Sequence, residues 1–215
     1  MTFPFPIATE RARWLPVLEA LVVFGLIMLH IWWLRFHAPS AWLLILGLVL
    51  LSHRWHRERA GGLGFRTAGF RRCVSEMAPA LLFLAIALVA VGILCDSIRR
   101  VTFDQGFMAL AGYCPWGLFQ QYLLNSYFVN RFAAVWPARY VPAISAALFS
   151  GAHLPNGFLM AVTLLAGYAS ARVYLKYRNL YFLGLAHAAI GFLLFLVVPD
   201  SISHHLIVGP NLLNR

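Results

Sequence analysis

Apolar residues run along this chain in long blocks, and short polar segments separate one block from the next. Crossing a bilayer as a helix takes about 20 apolar residues, and most of the blocks approach or reach that length. The polar segments between them hold Arg, Lys, Gly and Pro, residues that favour loops over helix interiors. The pattern predicts seven helices, at about 14–35, 39–53, 74–98, 106–131, 137–153, 158–175 and 180–198.

Two of the connections are well marked. The segment 54–72 holds six Arg and four Gly residues, a composition that argues against a long helix. The run Leu154-Pro155-Asn156-Gly157 is a turn signal between the fifth and sixth helices. Pro115 predicts a kink within the fourth helix.

The amino-acid composition indicates whether these helices are surrounded by water or by lipid. Of its 215 residues, 61% are hydrophobic and only 11% are charged, whereas a soluble domain carries about 25% charged residues. A soluble fold of this length has no interior for so much apolar surface. We therefore predict an all-α, polytopic integral membrane helix bundle of about seven transmembrane helices, forming one domain over residues 1–215.

The formal net charge of +10 invites comparison with nucleic-acid-binding proteins. The basic residues, however, lie in the gaps between apolar blocks, and most of them fall on the N-terminal side of the membrane if seven helices cross it. This is the asymmetry of the positive-inside rule. We expect the lipid bilayer as a partner, no nucleic acid, a cytoplasmic N-terminus and a bacterial inner membrane.

Uncharged polar and ionisable side chains inside the predicted spans are costly, and each is a candidate for a functional site. In the fourth helix, Gln121 and Asn125 share one face because they are four residues apart. In the fifth helix, Phe149 and His153 share a face among Ser, Gly and Ala residues. In the seventh helix, His187 lies between Gly184 and Gly191 in a similar small-residue setting.

Two interpretations of these clusters remain open. Polar side chains can simply hydrogen-bond neighbouring helices to one another, or the amides and imidazoles can meet in one pocket and form a site. Other polar residues carry less weight. Glu19 is a candidate partner for a basic group, and His53, His56, His204 and His205 fall in loops or the tail, where solvated positions are expected.

The three clusters resemble the motifs of the CPBP family of CAAX-protease and bacteriocin-processing membrane proteins, which includes the Rce1-like intramembrane endopeptidases. The family pattern is Glu-Glu-x-x-x-Arg, then Phe-x-x-x-His, then His-x-x-x-Asn or Asp. The second motif matches fully from Phe149 to His153. The third keeps His187 but has Gly191 at its end, and the first is present as Gln120, Gln121 and Asn125. The resemblance covers about residues 70–200.

The resemblance implies a site and a reaction. In the family, a Glu deprotonates water for peptide hydrolysis, and His and Asn side chains stabilise the developing oxyanion. It therefore implies catalytic positions at Gln120, Gln121, Asn125, His153 and His187. It implies substrate-binding positions at Phe149, Asn156 and Gly191. It implies a peptide or membrane-protein substrate, and we expect no cofactor and no metal, since two His with amides are a poor zinc set.

The altered first motif leaves the activity open. A neutral amide cannot accept the proton that a carboxylate accepts, so the Gln pair favours a catalytically disarmed relative with a binding, scaffold or bacteriocin-immunity role. The retained His pair favours an intramembrane endopeptidase, because His titrates near neutrality and can activate water. A small transporter ranks last, because the spans have no paired acidic residues and no visible repeat.

Overall fold

The structure, a computed structural model, describes residues 14–213. Within this range the chain is helical and contains no strand. The helices are α1 (Leu15–His37), α2 (Ala41–Trp55), α3 (Phe70–Leu94), α4 (103–133), α5 (Val141–Gly151), α6 (Gly157–Tyr177), α7 (Leu180–Val197) and the short α8 (Asp200–Ser203). Two 3-10 turns, His204–Leu206 and Gly209–Leu212, follow α8.

Four of these helices are long and apolar enough to cross a membrane: α1, α3, α6 and α7. The helices α2 and α5 are apolar but shorter. The prediction of an all-α membrane bundle is therefore confirmed, whereas the crossing of the membrane by seven helices stays a prediction. The extent of the domain also stays a prediction. The predicted cytoplasmic N-terminus, residues 1–13, lies outside the described residues.

The helix boundaries differ from the sequence prediction at two places that matter for the site. The third helix ends at Leu94 rather than near residue 98, because Asp96 has a left-handed φ of 46° and the Ser97 hydroxyl donates to the carbonyl of Val197. The fifth helix begins at Val141 rather than Pro137, since residues 137–140 form a turn. It also ends at Gly151, so His153 lies in the turn after the helix.

Two helices contain wide turns that the apolar pattern does not reveal. The backbone switches to π-type spacing, in which each amide bonds five residues back, at His30–Leu34 in α1 and at Tyr122–Val129 in α4. Such bulges insert extra backbone into a helix and commonly lie at functional sites. The second wide turn begins immediately after Gln121.

The bundle has two ends, which we define by their loops. Loops 56–69, 134–140 and 178–179 form the proximal end, where the Asn179 side chain donates to the carbonyls of Arg66 and Ala68. Loops 38–40, 95–102, 152–156 and the segment 198–213 form the distal end, where the Arg99 amide donates to the carbonyl of Leu196. Consecutive helices joined by these short connections run antiparallel.

The helices α4 and α7 approach each other closely at glycines on both sides of the contact. A Cβ atom added to Gly184 would lie 3.0 Å from the Cα of Leu118 and 2.9 Å from its Cδ1. A Cβ atom added to Gly117 would lie 3.0 Å from the backbone nitrogen of Ala188. Small residues at such contacts let helix backbones approach in a membrane, and this contact brings the polar residues of the two helices within hydrogen-bonding distance.

A buried ionic cluster connects the helices at the proximal end. The Arg131 side chain is 4% exposed and pairs with Glu58 at 2.9 Å and with Glu19 at 3.4 Å. The Nδ1 of His53 donates to Glu58 at 2.6 Å, and His56 pairs with Glu19 at 3.0 Å. The expected basic partner of Glu19 is therefore confirmed. The solvated position expected for His53 is wrong, because the ring is buried against this cluster.

The charges of this cluster determine the pKa of Glu58, its carboxylate in the loop 56–69. Burial by itself would raise the pKa of Glu58, but hydrogen bonds from His53 and Arg131 and the charge of Arg131 outweigh it, so its pKa lies below the ordinary 4.5. A carboxyl group whose pKa is lowered in the folded state stabilises the fold above its unfolded pKa. That contribution is lost as pH falls through the folded pKa.

We therefore expect the free energy of unfolding in detergent micelles to fall as the pH is lowered below about 4.5, the ordinary glutamate pKa. The variant Glu58→Gln should lose about 1.5–3 kcal/mol near neutral pH, because it removes charged hydrogen bonds, and its pH dependence should be flatter. The control is Asp96→Asn, at an exposed carboxylate. Equal pH profiles for wild type and Glu58→Gln would contradict the assignment.

The close approach of α4 and α7 gives a second expectation. Gly184→Ala should destabilise the bundle by about 1–3 kcal/mol, because the added methyl group meets the backbone Cα of Leu118, which cannot move aside as a flexible side chain can. The matched control is Gly25→Ala on α1, where an added Cβ meets nothing within 4 Å. Denaturant titration in micelles measures both, and similar free energies of unfolding for the two variants would show that the contact is loose.

Candidate functional site

A hydrogen-bonded group of neutral polar side chains lies in the interior between α4, α6 and α7. Gln121 is 3% exposed and Asn125 is fully buried. The Nδ2 of Asn125 donates to the Oε1 of Gln121 at 2.6 Å and to the Oγ of Ser170 at 2.9 Å. The Ser170 hydroxyl donates to the same Gln121 oxygen. The amide oxygen of Gln121 therefore accepts two hydrogen bonds.

The other end of the Gln121 amide holds His187. The Nε2 of Gln121 donates to the Nδ1 of His187 across 3.0 Å. With Nδ1 acting as the acceptor, a neutral His187 carries its proton on Nε2, so the outer nitrogen of this ring is a donor. We call Gln121, Asn125, Ser170 and His187 the amide network.

His153 has the opposite arrangement of donor and acceptor. Its Nδ1 lies 2.7 Å from the carbonyl oxygen of Phe149, and because a carbonyl only accepts, Nδ1 carries the proton. The Nε2 of a neutral His153 is then an acceptor. The Phe149 ring makes edge contacts with both imidazoles, at centroid distances of 5.0 Å to His153 and 6.3 Å to His187.

One cavity connects these side chains. Its volume is about 1590 Å³, and most of the residues along it are apolar. Gln120, Gln121, His153, His187 and Ser170 contribute polar groups to its wall. Among the described residues, no Asp or Glu side chain lines it.

Five of the eight predicted site residues lie in the amide network or across the cavity from it. Gln121, Asn125 and His187 are joined by hydrogen bonds, with Asn125 behind Gln121 and away from the cavity. Phe149 and His153 face the same cavity from the fifth helix and its following turn.

The remaining residues are placed differently. Gln120 lines the cavity but forms no side-chain hydrogen bond within residues 14–213. Gly191 lines it beside the ring of Tyr113.

Asn156 has a different position from the other predicted substrate-binding residues. Its Oδ1 accepts from the Leu159 amide and caps the start of α6, and its Nδ2 donates to the carbonyls of Ser203 and Ile207. The side chain is fully buried, and its hydrogen bonds attach the C-terminal segment to the turn after His153. The substrate-binding roles of Phe149, Asn156 and Gly191 stay predictions.

Sequence reasoning missed Ser170 as a member of the site. It is the one side chain that brings α6 into the amide network, through hydrogen bonds with Asn125 and Gln121. The available signal was its setting, a hydroxyl near Gly167, Ala169 and Ala171 in a mostly apolar helix. A Ser with small neighbours lets a second helix come close and then bonds to it.

The network is electrically neutral, and one of its buried acceptors, the Oδ1 of Asn125, has no hydrogen-bond partner in the described structure. Gln121 occupies a position from which a carboxylate could act on water in the cavity, but an amide oxygen is not a base near neutral pH. The described residues contain no group of three or more His, Cys, Asp or Glu side chains placed to hold a metal ion. What the site offers a ligand is an N–H donor on His187, an acceptor nitrogen on His153 and the free amide of Gln120.

Helices long enough to span a bilayer define this chain as an integral membrane protein, and its helix bundle contains a polar network beside a cavity. The family model for type II CAAX prenyl endopeptidases, Rce1-like, matches residues 75–193. The chain belongs to this family. No curated protein and no solved structure matches it.

The amide network predicts different stabilities for two adjacent substitutions. Gln121→Leu removes the shared acceptor of Asn125 and Ser170, and buried groups left without partners cost about 1–3 kcal/mol. Gln120→Leu, the matched control, removes an amide without hydrogen bonds in the described structure and should change the stability little. Unfolding in detergent micelles measures both variants, and equal losses would mean that the network does not stabilise the bundle.

Proposed function

We propose that this chain binds an apolar segment of a membrane-associated peptide in its intramembrane cavity without cleaving it by the glutamate-dependent route. The observation that carries the proposal is the amide network. Gln121 occupies the position that the resemblance assigns to a general base. Its amide oxygen accepts two hydrogen bonds, and its amide nitrogen donates to His187. No carboxylate of the described chain lines the cavity to replace it.

The ligand class follows from the walls of the cavity and from the family. A space of about 1590 Å³ with mostly apolar walls suits a lipid chain or apolar side chains. The few polar groups, on Gln120, His153 and His187, suit the N–H and C=O groups of one stretch of peptide. A prenylated peptide, the substrate class in the family description, has both parts.

A second candidate function rests on the orientation of His153. Its Nδ1 proton is held by the Phe149 carbonyl, which leaves Nε2 as an acceptor facing a cavity that also contains the His187 donor. A water between the two rings would meet a base on one side, and a peptide carbonyl would meet a donor on the other. Slow peptide hydrolysis with His153 as the base is the reaction that this pair favours.

The bilayer orientation is part of the proposal. The proximal end contains the Arg-rich segment 54–72 together with Arg131 and Arg178, whereas the distal end has Arg35, Arg99 and Arg100. The positive-inside rule then favours a cytoplasmic proximal end and N-terminus. The bacterial inner membrane is the location that we propose on this basis.

Restoring the carboxylates tests the function. Purified wild type should bind a prenylated peptide saturably and leave it intact. The double variant Gln120→Glu/Gln121→Glu should cleave it, because the restored carboxylate can take a proton from water, with a gain of about 10²–10⁴-fold over wild type. At Gln121 the new carboxylate would find donors already in place on Asn125 and Ser170.

Three controls complete the experiment, in which cleavage is followed by mass spectrometry. Adding His153→Ala to the double variant should abolish the gained cleavage, and Gln105→Glu, at the exposed start of α4, should gain none. Turnover by wild type that disappears in His153→Ala would replace the binding function with the second candidate. Absence of saturable peptide binding by wild type would refute the proposal itself.

A further inference from the structure

The cavity continues past the histidines to a cationic side chain at the distal end of the bundle. Arg35, in the last turn of α1, lines the cavity together with His30 and with His205 of the C-terminal segment. Among the described lining residues it is the one Lys or Arg. It also lies outside the segment 75–193 that matches the family model.

The hydrogen-bonding capacity of Arg35 is largely unused. Its Nη2 donates to the carbonyl of Val208 at 3.1 Å, and its guanidinium lies 4.7 Å from the centre of the Phe36 ring. Its buried Nε has no hydrogen-bond partner within the described structure, and neither has the buried Nδ1 of His30. A guanidinium has five N–H donors, so Arg35 has donors to spare and faces a cavity without an acidic side chain.

The carboxylate on the neighbouring segment is already engaged elsewhere. Asp200 accepts from Arg99 at 2.7 Å and pairs with His205 at 3.1 Å. Exposure of the Arg35 charge to an apolar cavity without a counter-charge is costly within a bilayer. A ligand that brings an oxyanion would supply the missing charge and accept two parallel hydrogen bonds from the guanidinium.

The Arg35 guanidinium is also close to the peptide site. The carbonyl of Val208 accepts from Arg35, and the amide of the same peptide unit, on Gly209, donates to the carbonyl of Leu154 at 2.7 Å. One planar peptide unit thus separates Arg35 from the residue next to His153. A peptide running from the histidines toward the distal end would reach Arg35 within a few residues.

We propose that Arg35 binds the C-terminal carboxylate of the peptide that occupies the cavity. The inference rests on the proposed function and adds to it a residue outside the matched segment 75–193, Arg35, that would hold the free C-terminal acid a few residues beyond the part of the peptide lying at His153 and His187. One guanidinium and one carboxylate match in charge and in planar geometry. His30 adds a second donor at this end of the cavity when its Nδ1 carries a proton.

The test compares two prenylated peptides of identical sequence, one with a free C-terminal carboxylate and one with a C-terminal amide. Binding is measured with purified protein in neutral detergent. Wild type should bind the acid about 10-fold or more tightly than the amide, the difference expected for a charge-assisted bidentate contact. Arg35→Gln should bind both peptides with the affinity that wild type has for the amide.

Two further variants separate charge from geometry and from general effects. Arg35→Lys keeps the charge but not the fork of donors, so it should retain part of the preference for the acid. Arg100→Gln removes an exposed charge from the same end of the bundle and should behave as wild type. Unchanged affinity of Arg35→Gln for the amide peptide shows that this variant is folded, even though its contact with Val208 is lost.

Several outcomes would overturn the inference. If wild type binds acid and amide equally, or if Arg35→Gln keeps the preference, Arg35 does not bind the carboxylate, while the proposed function stands. If an added anionic phospholipid displaces both peptides from wild type but not from Arg35→Gln, the oxyanion is a lipid headgroup instead. If wild type binds neither peptide, the proposed function and this inference fail together.

Discussion

A polar side chain inside a bilayer-spanning bundle is stabilised when it finds a hydrogen-bond partner within the protein, and the arrangement of α4, α6 and α7 follows from that requirement. Water cannot satisfy such groups there, so an unpaired amide costs several kcal/mol, about 2–7 depending on the reference state. The chain satisfies it by bringing the side chains of α4, α6 and α7 together in the amide network. The glycine contacts between α4 and α7 are needed because Gln121 and His187 must come within 3.0 Å of each other.

The same requirement produces two different polar layers in one bundle. At the proximal end, charges neutralise each other: Arg131 lies between Glu58 and Glu19, with two imidazoles attached. Around the cavity the groups are neutral, and their hydrogen bonds are exchanged among amides, a hydroxyl and an imidazole. A carboxylate in the neutral layer would be available to react, whereas an amide there supports the fold. The Gln at position 121 thus stabilises the packing of three helices through its hydrogen bonds and has no basicity near neutral pH.

The sequence predicts a feature well when the residues that determine it lie close together along the chain. The helices follow from local apolar blocks, so the sequence predicts all seven, with errors of a few residues at the end of α3 and the start of α5. The meeting of Gln121 and His187 was also within reach, because polar side chains in apolar helices turn inward and the family motifs supply the order of the helices.

The sequence does not reveal the contacts of Ser170, Arg131 and His53. The partners of Ser170 and Arg131 lie far along the chain, and no periodic pattern reports a contact such as that between Ser170 and Gln121, 49 residues apart. The sequence predicts a solvated His53 because this residue lies at the end of a helix beside a basic loop. Only the folded loop, which brings Glu58 over it, makes the position buried.

The wide turn at Tyr122–Val129 affects how the fourth helix presents its two ends. One residue corresponds to about 100° of rotation in an α-helix, and a π-type turn contains more residues per turn than a regular α-helix does. The Arg131 side chain consequently meets α1 and α2, while Gln121, further back on the same helix, meets α6 and α7. Removing a single amino acid from this stretch would swing the far half of the helix by roughly a quarter of a circle and pull the cation away from its two carboxylates. A deletion of one residue at this point in a related sequence would therefore change which helices each half of α4 contacts.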